Sequence, residues 1–549
     1  MSQDDPTINC SSLQRRRFLQ ISALAGVSVA ISPALADARD VACPVQPPEI
    51  KPFELDEITI ADLQAGMVSG KFSVRSITEK YLARIEEIDK HGPTINSVIE
   101  INPDALAIAD ALDKERKAQH VRGPMHGIPV LIKDNIDTAD RMQTTAGSLA
   151  LLGSKPARDS FVAQKLREAG AVILGKTNLS EWANIRSSHS SSGWSARGGQ
   201  TLNPYALDRN PCGSSSGSGA ATAASLCAVA VGSETDGSVV CPASANGLVG
   251  VKPTLGLISR SGIIPIAHSQ DTAGPMARTV RDAAILLSAL AGADPRDSVT
   301  STSEGKAAPD YMKFLDPHGL RGARIGVARK YFGGNDAQDQ LMNNLIEAMK
   351  RQGAEIIDPA DLPTHGKFDK TELLVLLYEL KADLNVYLAA RPGAPTSLQD
   401  IINFNDANRD KEMPYFGQDL FIKAEAKGPL SEKEYTDALE ANHRLSRREG
   451  IDAVMDQFHL DAIVAPTAGP AWLTDWVDGD HDLGGSSNAA AVAGYPDITV
   501  PAGFVSGLPV GISFFGRAWS EPTLLRIAYS FEQTIQARRP PRFLPTLKM

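Results

Sequence analysis

The sequence predicts an α/β protein, a three-layer α/β/α sandwich with a large mixed central sheet and helices on both faces. Segments with helical spacing alternate with short apolar runs of strand length, which is the pattern of such folds. The chain has 549 residues, of which 42% are hydrophobic and 22% charged, enough apolar material for a large core. No strong linker or short-period repeat interrupts residues 56–545, so these are expected to form a single domain.

The elements of the first half follow in order. Residues 58–70 and 73–90 carry the spacing of amphipathic helices. The apolar runs at 98–102 and 128–135 predict buried strands. Residues 160–175 predict a helix that is closed by a glycine and followed by an apolar strand. Each unit supplies one strand and one covering helix.

The second half repeats this design. Residues 349–358 again predict the end of a helix, a glycine and a strand, and 460–467 and 497–503 add two further strands. Residues 300–450 are more polar and rich in helix, and we expect them to pack over the sheet as an elaboration. The segment 37–55 is rich in proline and is predicted to be irregular.

The N-terminus has the order of an export signal. Three arginines in LQRRRFL (13–19) precede the apolar run 21–31 and the small-residue site Ala34-Leu35-Ala36. Arg15-Arg16 resembles a twin-arginine signal, so residues 1–36 predict a cleaved signal peptide and a periplasmic protein. The apolar run is too short to span a bilayer, and no stable membrane insertion is expected. The alternative is a disordered basic tail.

Charge and cysteine spacing exclude several classes of partner. The formal net charge of −10 argues against a nucleic-acid binder. The cysteines lack metal-ligand spacing, and the sequence predicts neither a metal nor a cofactor. In an oxidising compartment they allow one disulfide, but the sequence does not indicate which pair forms it. The protein is expected to act as a monomer on a small-molecule or peptide substrate.

Three short patterns match catalytic motifs weakly. The run from Gly170 to Thr177 fits a phosphate-binding loop around Lys176, but its middle residues are a strand-like apolar run. Gly213 to Gly217 fits a nucleophile elbow at Ser215, but a polar loop precedes it where an elbow needs a buried strand. Ser303 to Lys306 fits S-x-x-K inside a charged stretch that predicts a solvated loop. A nucleotide-binding protein built on Lys176 therefore remains a remote alternative.

A longer constellation is more specific. The stretch CGSSSGSGA (212–220) is followed by GSETDGSVVCPA (232–243) and preceded by Lys133 in HGIPVLIKDN. With GKTNLSEWAN (175–184) and several later segments in the same order, the sequence resembles the amidase signature family from about residue 56 to 535. The resemblance implies that family's fold and amide hydrolysis through a Ser–cis-Ser–Lys triad.

Carried onto this sequence, the resemblance makes Ser238 the nucleophile, Ser214 the bridging serine on a cis peptide and Lys133 the base. It also implies an oxyanion hole formed by the backbone amides of four consecutive residues: Thr235, Asp236, Gly237 and Ser238. Amide hydrolysis needs an activated hydroxyl, a proton acceptor and stabilisation of the oxyanion. A lysine can accept that proton only if burial lowers its pKa, and Lys133 ends an apolar strand.

The sequence departs from the family pattern beside the nucleophile. Glu234 replaces the usual aspartate, Asp236 replaces a glycine, and Val240 replaces an arginine. A carboxylate at Asp236 would oppose an oxyanion unless it points away from it. With SGWSARGGQT (192–201), these changes resemble the bacterial peptide amidase branch, which implies hydrolysis of C-terminal peptide amides to the free acid and ammonia. The alternative is an exported amidase acting on aryl or aliphatic amides.

Overall fold

A computed structural model describes residues 50–481 and 484–547. The predicted signal peptide, residues 1–36, lies outside the described residues, as does most of the irregular segment 37–55. Across the described ranges, every helix is too short or too polar to cross a bilayer.

Thirteen strands are found in these ranges, eleven of them in one sheet and two in a separate short pair. In chain order they are β1 (Val98–Ile101), β2 (Pro129–Lys133), β3 (Val172–Thr177), β4 (Trp194–Ser195), β5 (Gly199–Gln200), β6 (Val229–Glu234), β7 (Val249–Lys252), β8 (Thr272–Ala277), β9 (Arg324–Val327), β10 (Glu355–Ile357), β11 (Ala462–Pro466), β12 (Asp497–Val505) and β13 (Leu508–Phe515).

The large sheet has the order β1-β3-β2-β6-β8-β7-β12-β13-β11-β9-β10. Strand β2 runs parallel to both β3 and β6, and β9 runs parallel to both β10 and β11. The remaining neighbours are antiparallel. The predicted mixed sheet is confirmed, and the parallel pairing of β2 with β6 places the ends of these two strands side by side.

Sixteen α-helices surround the sheet in the described ranges, and two π-helical turns, Ile85–Lys90 and Arg444–Ile451, extend two of them. The helices are α1 (Ile60–Val68), α2 (Val74–Arg84), α3 (Ala105–Lys117), α4 (Phe161–Glu168), α5 (Ser216–Ala223), α6 (Val240–Ala245), α7 (Val280–Leu290), α8 (Asp336–Arg351), α9 (Asp369–Ala389), α10 (Leu398–Ala407), α11 (Arg409–Glu412), α12 (Asp419–Glu425), α13 (Lys433–His443), α14 (Asp452–Phe458), α15 (Ser487–Ala493) and α16 (Glu521–Ile535).

Both faces of the sheet are covered by helices, as strand β11 shows. Successive side chains of a strand point to opposite faces. Ala462 and Val464 join the main apolar core with residues of α8 and α16, whereas Ile463 and Ala465 pack with residues of α14 and α15. These two cores on opposite faces of one sheet confirm the predicted three-layer α/β/α sandwich.

The sequence places most early elements within a few residues and misses several later ones. The helices predicted at 58–70 and 160–170 are α1 and α4, and the strand predicted at 460–467 is β11. Strand β8 carries Gly274 and Pro275 in its interior, residues that are depleted in strands. Strand β13 likewise contains a proline and a glycine. Periodicity and composition could not assign these strands, which the sheet neighbours hold in place.

The helical elaboration differs from the expectation in what it packs against. Leu384 of α9, Leu398 of α10 and Phe421 of α12 form an apolar cluster with Trp182 and Ile266. Both of these partners lie in connecting segments rather than in strands. The helices therefore cover the loops that lead to the candidate site.

Candidate active site

Lys133 is the last residue of β2 and is buried. Its Nζ lies 2.8 Å from the Oγ of Ser214, 2.9 Å from the Oγ of Ser233 and 3.0 Å from the Ser233 carbonyl oxygen. Burial lowers the pKa of Lys133 to about 7, and the nearby charges of Glu234 and Asp271 offset only part of that effect. A substantial fraction of this amine is therefore neutral at neutral pH, as a base must be.

Ser214 lies two residues before α5, which begins at Ser216. The peptide bond between Gly213 and Ser214 is cis. A Cβ on Gly213 would lie 2.2 Å from the Oγ of Ser180, so a side chain there has no room. The Ser214 carbonyl accepts a hydrogen bond from the Ser180 N–H at 3.1 Å. The small residues of 212–220 thus let the loop approach its neighbours closely enough to point Ser214 at Lys133.

The other serines of this stretch fix the loop. The Ser215 Oγ donates to the Ser233 carbonyl and accepts from the Ser233 N–H. The Ser216 hydroxyl donates to the Cys212 carbonyl at 2.7 Å, and that of Ser218 donates to the Val231 carbonyl at 3.2 Å. These hydroxyls are satisfied by backbone groups, in contrast to the Ser214 hydroxyl, which faces an amine.

Ser238 lies in the turn that joins β6 to α6. Its carbonyl accepts the N–H of Ser215 at 3.1 Å, which holds this turn against the serine loop. Gly237 has a φ of 73°, in the left-handed region that favours glycine. The structure thus joins Lys133 and Ser214 by a direct side-chain contact and brings Ser238 to them through the backbone of Ser215.

The Glu234 side chain is hydrogen-bonded to the backbone at the end of the same turn. Its Oε2 accepts the N–H groups of Val239 at 2.7 Å and of Val240 at 3.1 Å. These are the first amides of α6, where a carboxylate is favourable. The Val240 side chain is buried, so the position that carries an arginine in the resembled family is an apolar contact here.

The predicted oxyanion-hole amides of Thr235, Asp236, Gly237 and Ser238 all belong to this turn. The Thr235 hydroxyl donates to Asp271 at 2.6 Å, which anchors one side of it. The Asp236 side chain accepts from the Ser487 hydroxyl at 2.6 Å. The carboxylate is thus engaged by α15, while the assignment of these amides to an oxyanion remains a prediction.

A disulfide links the serine loop to helix α6. Cys212 is bonded to Cys241, which ties the residue before Gly213 to the first turn of α6. Cys227 is a buried free thiol. The sequence allowed one disulfide without naming the pair, and the structure identifies it.

A cleft of about 300 Å³ opens beside these elements. Gly213, Asp236 and Gly237 line it from the serine loop and the turn after β6. The rest of the lining includes Asn184 and Ser192 and residues of the distant segment 467–488, which are Thr467, Ala468, Trp472, Asp480, Gly485, Ser487 and Asn488. Sequence patterns gave no signal for the residues of 467–488, which lie more than two hundred positions from Ser238.

The weak phosphate-loop match around Lys176 is part of a β-strand. Lys176 lies inside strand β3, is buried, and donates to the Ile136 carbonyl and the Thr144 hydroxyl. A Cβ on Gly175 would lie 2.2 Å from the Glu100 carbonyl oxygen of the paired strand β1. No phosphate could enter a loop here, because the residues form a sheet, and the nucleotide-binding alternative is wrong.

The sandwich and its buried lysine–serine contact agree with the fold and site that the sequence predicts, and sequence comparison gives the class of enzyme. The amidase family model matches residues 76–525, and the chain belongs to this family. It is 44% identical over 502 residues to a probable amidase of Arabidopsis thaliana, covering 90% of this chain and 93% of that protein.

Solved structures of peptide amidases are similar to this chain in both sequence and fold. The native peptide amidase of Stenotrophomonas maltophilia superposes with a TM-score of 0.85 at 51% identity, covering 90% of this chain and 100% of that chain. A peptide amidase bound to the competitive inhibitor chymostatin gives a TM-score of 0.86 at 52% identity, covering 89% and 100%. The protein is therefore a hydrolase of carbon–nitrogen amide bonds with peptide amidases among its structural neighbours.

Proposed function

We propose that this amidase removes the C-terminal carboxamide of peptides, giving the free acid and ammonia. The buried contact between Lys133 and Ser214, in a chain about half identical to peptide amidases, carries the proposal. The cleft beside Gly213 is lined by polar and small residues over most of its wall, which suits the backbone of a peptide more than an aryl group.

In the proposed mechanism the Ser238 Oγ attacks the carboxamide carbon. Its proton passes to Ser214, whose own proton passes to the neutral Nζ of Lys133. The negative oxygen of the tetrahedral intermediate is stabilised by the amides of the turn from Thr235 to Ser238. Collapse of the intermediate returns the proton through Ser214 to the leaving nitrogen, which departs as ammonia. Water then repeats the sequence on the acyl-enzyme, releasing the acid and restoring Ser238.

An ammonia-release panel tests the substrate class. Purified protein is given N-acylated peptide amides, simple aliphatic amides and aryl amides, including indole-type amides, and ammonia is measured. Peptides with a free C-terminus report cleavage of internal bonds, which releases peptide fragments rather than ammonia and is read by mass spectrometry. We expect the highest kcat/KM for the peptide amides and no cleavage of internal peptide bonds. Higher kcat/KM for the aliphatic or aryl amides would select the alternative amidase and reject the proposed substrate.

We also propose that the protein is exported through its N-terminal signal. The arginine pair at Arg15-Arg16 and the small-residue site at Ala34–Ala36 motivate this. The bond between Cys212 and Cys241 supports it, because disulfides persist in oxidising compartments such as the periplasm. Fractionation followed by N-terminal sequencing is the test, and a cytoplasmic protein that retains residues 1–36 would contradict it.

A further inference from the structure

Asp236 belongs to the candidate oxyanion turn and also lines the cleft. Between Ser214 and Val240 it keeps partial exposure, while the other residues of that stretch are buried. It lines the cleft together with Gly213 and Gly237. Asp236 therefore brings a carboxyl group to the wall of the cleft beside the proposed triad.

The carboxylate is held in a fixed orientation by α15. Its Oδ1 accepts from the Ser487 hydroxyl at 2.6 Å, and its Oδ2 accepts from the Asn488 amide at 3.4 Å. A carboxylate offers about four acceptor positions, so these two contacts, with a third from Glu372, leave it able to accept a further hydrogen bond. Ser487 and Asn488 line the cleft as Asp236 does, so the carboxylate and these two donors lie together at its wall.

Glu372 of α9 lies behind Asp236 and is buried. Burial and the nearby Asp236 charge raise the pKa of Glu372 well above its ordinary value. Glu372 also accepts from the amides of Gln270 and Asn488, and in its protonated form it donates to Asp236. Burial raises the pKa of Asp236 as well, whereas its hydrogen bonds from Ser487 and Asn488 lower it. Of the two carboxyl groups, Asp236 is the one that reaches the cleft.

A charge in this position needs a partner, because it would otherwise oppose the negative oxygen that forms on the substrate. The substrate of the proposed function offers one. In a peptide amide the carbon next to the carboxamide bears an N–H, and in an amino acid amide it bears an ammonium group. Simple aliphatic and aryl amides lack this donor.

We propose that Asp236 is the specificity-determining residue that accepts this α-nitrogen N–H, so that the enzyme selects amides of α-amino acids and peptides over other primary amides. The inference rests on the proposed function and adds to it the atom that is recognised. Ser487, Asn488 and Glu372 are positioning residues that hold the acceptor and its charge.

The test compares substrates that differ in one atom. In N-acetylphenylalaninamide the α-nitrogen is an amide N–H, and in O-acetylphenyllactamide an ester oxygen replaces it. The wild-type enzyme is expected to favour the first in kcat/KM by roughly 10- to 100-fold, the range for a hydrogen bond to a charged group. Phenylalaninamide, with a free ammonium, shows whether the charged or the acylated donor is preferred.

Asp236→Ala and Asp236→Asn are then measured with the same pair. The preference is expected to fall close to equality in Asp236→Ala and to an intermediate value in Asp236→Asn, whose amide oxygen remains an acceptor without charge. Because the preference is a ratio within one preparation, it does not depend on how much of a variant folds. A preference that persists at the wild-type value in Asp236→Ala would overturn the proposal.

Two matched variants serve as controls. Glu372→Gln keeps a donor to Asp236 and should keep the preference. Asp480 also lines the cleft, but its carboxylate accepts from Ser192, Asn210 and Trp472, so Asp480→Asn should keep the preference as well. Loss of the preference in Asp480→Asn but not in Asp236→Ala would assign recognition to the other carboxylate and reject the proposal.

Failure of this inference can be told apart from failure of the proposed function. If hydrocinnamamide, which has no α-nitrogen, is hydrolysed better than N-acetylphenylalaninamide by the wild-type enzyme, the proposed substrate class is wrong. If N-acetylphenylalaninamide is preferred to hydrocinnamamide but equals its ester analogue, the substrate class stands and the role of Asp236 is wrong.

Discussion

The backbone N–H of Ser215 donates to the carbonyl oxygen of Ser238 at 3.1 Å. This bond joins the residue after Ser214 to the proposed nucleophile and so couples two loops that are separate in sequence. Lys133 contacts Ser214 from the other side, at 2.8 Å. The serine loop thus contacts both Lys133, through the Ser214 side chain, and the Ser238 turn, through the Ser215 backbone.

Removing members of the proposed relay should give losses that do not add. Ser238→Ala should abolish acyl-enzyme formation and nearly all turnover. Ser214→Ala and Lys133→Ala should each lower kcat by about 10²–10⁴-fold, the range for a positioned acid–base group. The double variant should lose little more, because both residues act on one proton path. Steady-state ammonia release measures all four proteins.

The control for this series is Ser218→Ala, which removes a hydroxyl bonded to the Val231 carbonyl rather than to the lysine. It should retain most of the wild-type kcat. A fluorophosphonate probe read by mass spectrometry should label Ser238. Labelling of Ser215 with Ser238 unmodified would contradict the assignment and restore the nucleophile-elbow interpretation.

The activity should rise with pH through the pKa of Lys133, about 7. Only the neutral amine can accept a proton, so kcat/KM should fall below this pH as the amine becomes protonated and level off above it. An N-acylated substrate, which does not itself titrate, is assayed from about pH 5 to about pH 9. The limb near pH 7 should vanish from the residual activity of Lys133→Ala, and its persistence there would assign it to another group.

Removing the disulfide should destabilise the protein measurably. The bond joins two cysteines that are 29 positions apart in the sequence. Its loss in a Cys212→Ser, Cys241→Ser double variant should lower the free energy of unfolding by about 2–4 kcal/mol. Denaturant unfolding with and without reductant measures this. Reductant should destabilise the wild type and Cys227→Ala but leave the double variant unchanged. A wild type indifferent to reductant throughout unfolding would argue that the bond is absent.

Gly217 should tolerate no side chain at all. A Cβ there would lie 2.3 Å from the Ser97 carbonyl oxygen and 2.4 Å from that of Asn178, and backbone atoms cannot move aside as a flexible side chain can. Gly217→Ala should therefore destabilise the fold by at least about 1–3 kcal/mol, the usual cost of overpacking. The thermal midpoint and denaturant unfolding measure it.

The matched variant is Gly417→Ala. Gly417 is exposed, and a Cβ there meets nothing within 4 Å. Its φ lies outside the left-handed region, so the substitution should be neutral or stabilising by up to about 1 kcal/mol. Because alanine forms helix better than glycine, a Gly217→Ala protein as stable as Gly417→Ala would show that the close contacts of Gly217 do not set its effect.

Local patterns in the sequence were sufficient for the fold class, whereas the candidate residues came from the family resemblance. Helix and strand periodicities are short-range properties, and they placed β2, β11 and the early helices. The order of Lys133, the glycine-serine stretch and the GSETDGSVV segment resembles the amidase signature family, and this resemblance implied the catalytic roles. The apolar run around Lys176 made a phosphate-binding loop only a remote alternative, and strand β3 then excluded it.

Only the tertiary structure decided which distant residues meet. Lys133 and Ser214 are 81 positions apart, and the parallel pairing of β2 with β6 sets the loops around them. Cys212 finds Cys241 because the serine loop packs on α6. Asp236 contacts Asn488, which lies 252 positions further along the chain, and Glu372, which lies more than 130 positions further along. Such contacts depend on how the helices bury their apolar faces over the sheet. Composition and residue spacing describe only neighbouring residues, so they do not predict which distant segments come together.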